Sequence, residues 1–206
     1  MRYPPLMGRR SDHSRADLLA MIVEEGHRQM AEVGFARFSA REVAKRIGYS
    51  IGTIYNVLGT HDRLILAINT RTFGLWAEHL RGRLEAARGD RIRALVEGYF
   101  SFARENRNLW MAIYDHRLPE GMEMPEADQA ERGALTEIVT REVAAALPAV
   151  EQEEASHLAR SLIATVHGHC TFALNGTFAL MGEAAPVELA LARVEESLAA
   201  ARASAG

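Results

Sequence analysis

A single cysteine, Cys170, stands in 206 residues, which excludes an intrachain disulfide and suits a reducing compartment. No apolar run approaches the roughly 20 residues needed to cross a bilayer, so no membrane partner is expected. The stretch Met1–Arg10 holds proline and arginine but no apolar core. A secretory leader is therefore not expected there, and a cytoplasmic location is. Nothing repeats at a fixed period, and no segment alternates apolar and polar residues long enough to demand a strand. Signatures of catalysis are missing as well. There is no Gly-x-Ser-x-Gly elbow, no phosphate-cradling glycine loop and no His-Glu-x-x-His, so neither an enzyme nor a cofactor is expected.

What is present is ordinary in bulk, with 48% apolar and 25% charged residues in a chain long enough for one domain or a domain plus a small module. The net charge of −3 is unevenly spread. Residues 1–63 hold ten Arg/Lys and seven Asp/Glu, while residues 64–206 hold fourteen and twenty. A basic head can face phosphates while an acidic body stays in solvent, although an imbalance of this size also arises by drift of surface charge.

Helical spacing runs through the whole chain, which predicts an all-α protein. A first helix is expected over about 12–33, capped by Ser11, with Leu19, Ile22, Val23, Met30 and Val33 on one face and Gly34 at its end. Phe35 and Phe38 fill a short connection. Ser39 starts a second helix, and Glu42 three residues later predicts a capping box. Val43, Ala44 and Ile47 face inward before Gly48 ends it. Ser50 caps a third helix over about 51–57, with Ile54 and Leu58 inward. Thr60 caps a long fourth one carrying Leu64, Ile68, Leu75, Leu80 and Leu84 to about Arg88. Beyond Gly89, stripes at Ile92/Leu95/Val96/Tyr99/Phe102, Leu109/Trp110/Ile113/Tyr114 and Leu135/Ile138/Val139/Val143/Leu147 predict three more helices. The last two are expected over about 151–181 and 186–203, divided by Gly182 and Pro186.

The second helix, a turn at Gly48–Ser50 and the third helix have the proportions of a helix-turn-helix, whose second helix enters the major groove. Gly48 permits the sharp turn, and Gly52 brings bare backbone to the surface near free helix amides, which are themselves a phosphate ligand. The run Ser39-Ala40-Arg41-Glu42-Val43-Ala44-Lys45-Arg46-Ile47-Gly48-Tyr49-Ser50-Ile51-Gly52-Thr53-Ile54-Tyr55-Asn56-Val57-Leu58, completed by Leu64, resembles the N-terminal pattern of the tetracycline-repressor (TetR) family of bacterial regulators. The joint spacing of Gly48, Ser50, Gly52, Thr53, Tyr55 and Leu64 carries the likeness.

That resemblance implies a DNA-binding head over 1–60 and a helical effector-binding and dimerisation body over 61–206. It implies a repressor of transcription, released from a palindromic double-stranded operator by a small apolar or amphipathic effector. It also implies a homodimer paired through the last two helices. By position, Arg41 reaches bases or phosphates, Ser50, Gly52 and Thr53 approach the groove, Tyr55 contacts phosphate and Asn56 reads a base edge, an amide being able to bond adenine twice. Tyr55 packing on the first helix and Thr53 acting as a capping residue are the alternatives. Three positions depart from the pattern. His61 replaces a lysine and is mostly uncharged at neutral pH. Ile51 offers only apolar contact, such as with a thymine methyl, and Val57-Leu58 replaces His-Phe. A head that has lost DNA affinity and binds protein instead is the competing reading.

Thr165–Phe178 resembles the "WHG" subtype of the family's C-terminal region through His167-Gly168. The stripe Ala159, Leu162, Ile163, Val166, Cys170, Ala173 and Leu174 and the alanines of 199–203 suit close helix packing. Pocket walls are expected from Phe102, Trp110, Tyr114, His116, His167 and Phe172, since aromatics with a few polar tips suit such an effector. The alternative for each is ordinary core. His167, His169 and Cys170 are metal-ligand types, but 169 points roughly 160° away from 167, and no metal is expected.

Overall fold

The structure, a computed structural model, describes residues 13–205. Its described residues form α-helices and one short 3₁₀ turn. The helices are α1 (Arg15–Val33), α2 (Ala40–Arg46), α3 (Ile51–Leu58), α4 (His61–Ala86), α5 (Arg91–Glu105), α6 (Arg107–Asp115), α7 (Glu126–Ala146), α8 (Gln152–Leu174), α9 (Thr177–Leu180) and α10 (Pro186–Ser204).

Local chemistry sets most of the boundaries. Ser39, Ser50 and Thr60 each accept the amide hydrogen of the residue three ahead, as expected of N-caps. Gly48 takes φ +79°, a conformation that side chains other than glycine's adopt only at a cost, and this turns the chain from α2 to α3. Two caps differ from expectation. Ser11 lies outside the described residues, and Ser14 caps α1 in a full capping box with Asp17. At α2 only half the expected box forms: the Ser39 amide donates to Gln29 Oε1 at 2.9 Å, and Glu42 turns to Arg46 at 3.5 Å. A buried amide side chain ten residues earlier and a cation one helical turn later outcompete the local return bond.

Two cores form. Ile22, Met30, Val43, Ile54, Leu64, Ile65 and Ile68 pack with Leu109 and Ala112. Trp76, Leu80, Tyr99, Phe100, Phe102, Trp110, Leu162 and Val166 belong to the second, larger core. The first core therefore runs past residue 60 into α4 and borrows from α6, so a division at 60 cuts through shared packing. Leu19 and Leu75, expected inside, are each 38% exposed, and Trp76 is fully buried instead. One residue is a 100° step on a helix, and the bulkier indole takes the inward position.

The other differences lie in the body. α4 ends at Ala86 rather than Arg88, and Arg91 caps its carbonyl end by donating to Leu84 O while gripping Glu142 of α7 at 2.6 and 2.7 Å. The helix expected over about 151–181 breaks at Asn175-Gly176. Gly176 is left-handed at φ +81°, and Asn175 Oδ1 accepts from the Thr177 amide and hydroxyl. The stripe Ala159, Leu162, Val166 and Cys170 faces the protomer's own core.

His27 on α1 is half-buried with its Nε2 buried and unpaired, and desolvation, aided by Arg71, pushes its pKa down to about 4. The fold therefore holds it neutral. Its contribution is complete above about pH 6.5 and is lost as pH falls toward 4. Urea melts at about pH 7 and about pH 5 should differ by on the order of 1–2 kcal/mol, and His27→Leu should remove that part of the difference. An unchanged pH dependence in the variant would exclude His27 as its source.

Candidate nucleic-acid interface and internal aromatic cluster

α3 stands on the surface by virtue of a single anchor. Ile54 is its one buried residue, and Ile51, Val57 and Leu58 lean partly on the same core. Arg15 of α1 donates to the carbonyl of Val57 at 3.0 Å, tying the far end of α3 down. At the near end Ser50 Oγ accepts from the Thr53 amide at 3.2 Å and pairs with the Thr53 hydroxyl at 3.0 Å. The capping role of Thr53 is thus present in the geometry.

Arg41, Ser50, Gly52, Asn56 and His61 are exposed, as is Tyr55 at 38%, an unusual setting for a large ring. The His61 ring lies 6.0 Å from that of Phe38. Ile51 is half-buried against the core, which turns part of its side chain away from the surface. Arg46 is engaged by Glu25 at 3.3 Å, Glu32 at 2.8 Å and Glu42 at 3.5 Å, so its charge is spent inside the head. Arg41 forms no ion pair among the described residues and leaves its guanidinium to solvent.

Within the body, rings from four helices converge. Trp76 stacks on Phe102 at 5.2 Å and meets Tyr99 edge-on at 4.7 Å. His167 shares a hydrogen bond with the Tyr99 hydroxyl through Nδ1 at 3.0 Å and lies 4.2 Å from the Tyr114 ring and 5.0 Å from Trp110. Burial pushes the Tyr99 and Tyr114 hydroxyls up and the His167 imidazole down, so all three are neutral near pH 7. The cluster therefore offers uncharged hydrogen-bonding tips on an aromatic wall. Beside it lies a cavity of about 40 Å³ lined by Leu80, Leu95, Tyr99, Val143, Leu162 and Val166. Burial raises the Cys170 thiol to about 12, which leaves it inert.

Four of the expected wall residues, Phe102, Trp110, Tyr114 and His167, come together here. Two do not. His116 lies between α4 and the first core, its Nε2 donating to Asp62 at 3.0 Å and its ring 6.0 Å from Phe35. Phe172 is 43% exposed and its ring meets that of Phe178 at 5.6 Å, because it sits on the outer face of α8. Trp76 and Tyr99 are members that the expected set of wall residues leaves out. Their signal was positional, since 76 and 80 on α4 and 95, 99 and 102 on α5 share faces. The described residues contain no group of three potential metal ligands.

Comparison with known proteins adds two family matches. Residues 22–68 match the description of bacterial regulatory proteins, tetR family, and residues 92–196 match tetracyclin repressor-like, C-terminal domain. The second alone spans about half of the chain. No curated protein sequence matches. Among solved structures, a protein of unknown function from Rhodococcus sp. RHA1 is 22% identical with TM-score 0.70, over 93% of this chain and 97% of its own. A putative transcriptional regulator from Pseudomonas aeruginosa PAO1 is 21% identical with TM-score 0.63, over 96% and 98%. The multidrug binding protein EbrR, complexed with imidazole, is 18% identical with TM-score 0.59, over 90% and 96%. At these identities the likeness is one of fold.

Proposed function

We propose, because the chain belongs to the TetR family of DNA-binding bacterial transcription regulators, that it is a repressor released from a palindromic operator by a small effector bound in the body. The observation that carries the reading is α3 itself. It is a short helix with one buried residue, capped open at its start and presenting Gly52, Thr53, Tyr55 and Asn56 outward, beside the unpaired Arg41. Tyr55 and Arg41 hold phosphates, His61 adds a weaker contact, and Asn56 reads a base edge. Ile51 contributes its exposed fraction as apolar contact, and Ser50 fixes the helix start.

Two copies are needed to span a palindrome, with their reading helices about 34–36 Å apart. The outer face of α8 suits that pairing. Ser161, Ala164, Gly168 and Phe172 are exposed at helical spacing, and Leu180 and Met181 beyond them are 90% and 67% exposed. Small residues let helices approach closely, and α10 adds alanines at 199, 200 and 203. No helix among the described residues is long and apolar enough to cross a membrane.

The effector occupies the aromatic cluster, and α4 and α6 carry its message. α6 places Trp110 and Tyr114 in the cluster and Leu109 and Ala112 in the head core. It is bolted to the head by Asn108 donating to Ala31 O at 2.7 Å, by Asn69 donating to Ala112 O at 3.1 Å and by the His116–Asp62 bond. A ligand that shifts Trp110 or Tyr114 must move these bonds, which favours a head spacing that no longer fits the grooves.

Mobility-shift assays on genomic fragments test the DNA reading. Tyr55→Ala and Arg41→Ala should each weaken binding by about tenfold while leaving the dimer intact in sedimentation. Raising salt from about 50 to about 200 mM should weaken the wild type by about two orders of magnitude or more. Normal binding by both variants would discard the contact assignment, and no shift at low salt would leave a protein-binding head as the better account.

A further inference from the structure

Arg132 on α7 differs from the other engaged arginines of the body. Arg91 is gripped by Glu142, and Arg93 by Glu188 and Glu97. Arg132 is half-buried and makes no ion pair with any described residue. Its Nε is buried without a partner, and Nη1 reaches only the thioether of Met124 at 3.9 Å. Asp128, one turn earlier, attracts it from beyond ion-pairing distance, and desolvation pulls its pKa down. A cation held this way is costly unless something completes it.

Its location says what that is. The guanidinium carbon lies 4.7 Å over the Phe73 ring, and Phe73 is 6.2 Å from Trp76. Tyr114 is near enough to feel the Arg132 charge and is 43% exposed, so the aromatic cluster reaches the surface at its ring. Behind Tyr114 stand Trp110 and His167. A charged fork thus sits at the rim of an aromatic wall whose other polar tips are neutral. A cationic ligand would find the Arg132 charge repelling it at this rim. Guanidinium geometry matches a carboxylate in two parallel hydrogen bonds.

We infer that the effector is an anionic amphiphile, a carboxylate on an aromatic or aliphatic body, whose carboxylate is held by Arg132 while the body lies against Phe73, Trp110, Tyr114 and His167. This inference rests on the effector reading proposed above and supplies its chemical class. Arg132 then acts as the specificity residue, favouring anions over neutral or cationic molecules of the same shape.

The chain reports on this site directly, because its two tryptophans, Trp76 and Trp110, are both in the cluster. Tryptophan fluorescence of the full-length protein should be titrated with phenylbutyrate, phenylbutanol and phenylbutylammonium, which share one ring and tether. Phenylbutyrate should bind about tenfold or more tighter than either analogue. Arg132→Gln should shrink that preference to within about threefold, with helical circular dichroism retained. Should Arg132→Gln fail to fold, Asp128→Asn decides: removing the competing carboxylate should tighten phenylbutyrate alone by about threefold. Equal affinities in the wild type, a preference for the ammonium compound, no saturable response to any of the three, a preference that survives in folded Arg132→Gln, or an Asp128→Asn variant that binds phenylbutyrate no better would each overturn the inference. Wild-type mobility shifts on genomic DNA are read in parallel. A shift without anion preference removes this inference and keeps the regulator, whereas an Arg132-dependent preference without a shift does the reverse.

Discussion

Trp76→Ala should lower the unfolding free energy by about 3–5 kcal/mol and, in a chain of this size, the thermal midpoint by roughly 10 °C or more. Trp76 is fully buried, and its ring touches four others: Phe73, Tyr99, Phe102 and Trp110. These come from α4, α5 and α6, so truncation leaves a void no single helix can close. Stacking with Phe102 at an interplanar angle of 2° adds aromatic contact beyond the area buried. One term works the other way, since the Trp76 Nε1–H is buried without a partner and its removal relieves a desolvation cost. Trp76→Phe keeps most of the ring area and drops that N–H, so it should cost far less than alanine. Urea unfolding followed by circular dichroism measures both. A loss below about 1 kcal/mol for the alanine variant would mean the cluster collapses around the gap and is not the keystone of the body.

The same cluster marks the limit of what the sequence discloses. Helix starts at Ser39, Ser50 and Thr60 were legible because a cap involves only three or four consecutive residues. The turn at Gly48 and the exposed set on α3 were legible for the same reason, aided by the family resemblance. The break at Asn175-Gly176 was also written locally, as a turn dipeptide, but lay hidden inside a long apolar pattern. Other features depended on partners far away in sequence. The capping box at Ser39 stays half-formed because the Ser39 amide donates instead to Gln29, ten positions earlier. His116 looked like a wall residue by type, yet its place after α6 brings it to Asp62, 54 positions earlier.

Phe172 and His167 illustrate the same limit on one helix. They differ by five positions, a rotation of roughly 140°, so one faces the cluster and the other leaves the protomer. Residue type alone cannot make that distinction without knowing which face of α8 is covered. Arg132 is the harder case. Nothing in its neighbourhood of sequence sets it apart from Arg91 or Arg141, and its singularity lies in being half-buried with Nε unpartnered.

The second large effect is expected in the head, where Ile54→Ala should reduce operator affinity by roughly 30-fold or more. A helix of eight residues has little stability of its own, and Ile54, fully buried, is the one side chain of α3 wholly inside the head core. Truncating a buried isoleucine costs about 2–5 kcal/mol, and here the loss falls on the docking of α3 rather than on the body, whose core is separate. The Ser50 cap and the Arg15–Val57 bond remain but cannot replace it, both being solvent-exposed. Tryptophan emission should therefore stay unchanged, since Trp76 and Trp110 lie in the other core. Tyr55→Ala, one residue on, makes the instructive contrast. Tyr55 is exposed, so its loss should weaken DNA binding with little change in the urea midpoint of the head, whereas Ile54→Ala should lower both. Wild-type affinity in Ile54→Ala would show that α3 is held by its flanking turns, and that its projection from the head does not depend on the buried anchor.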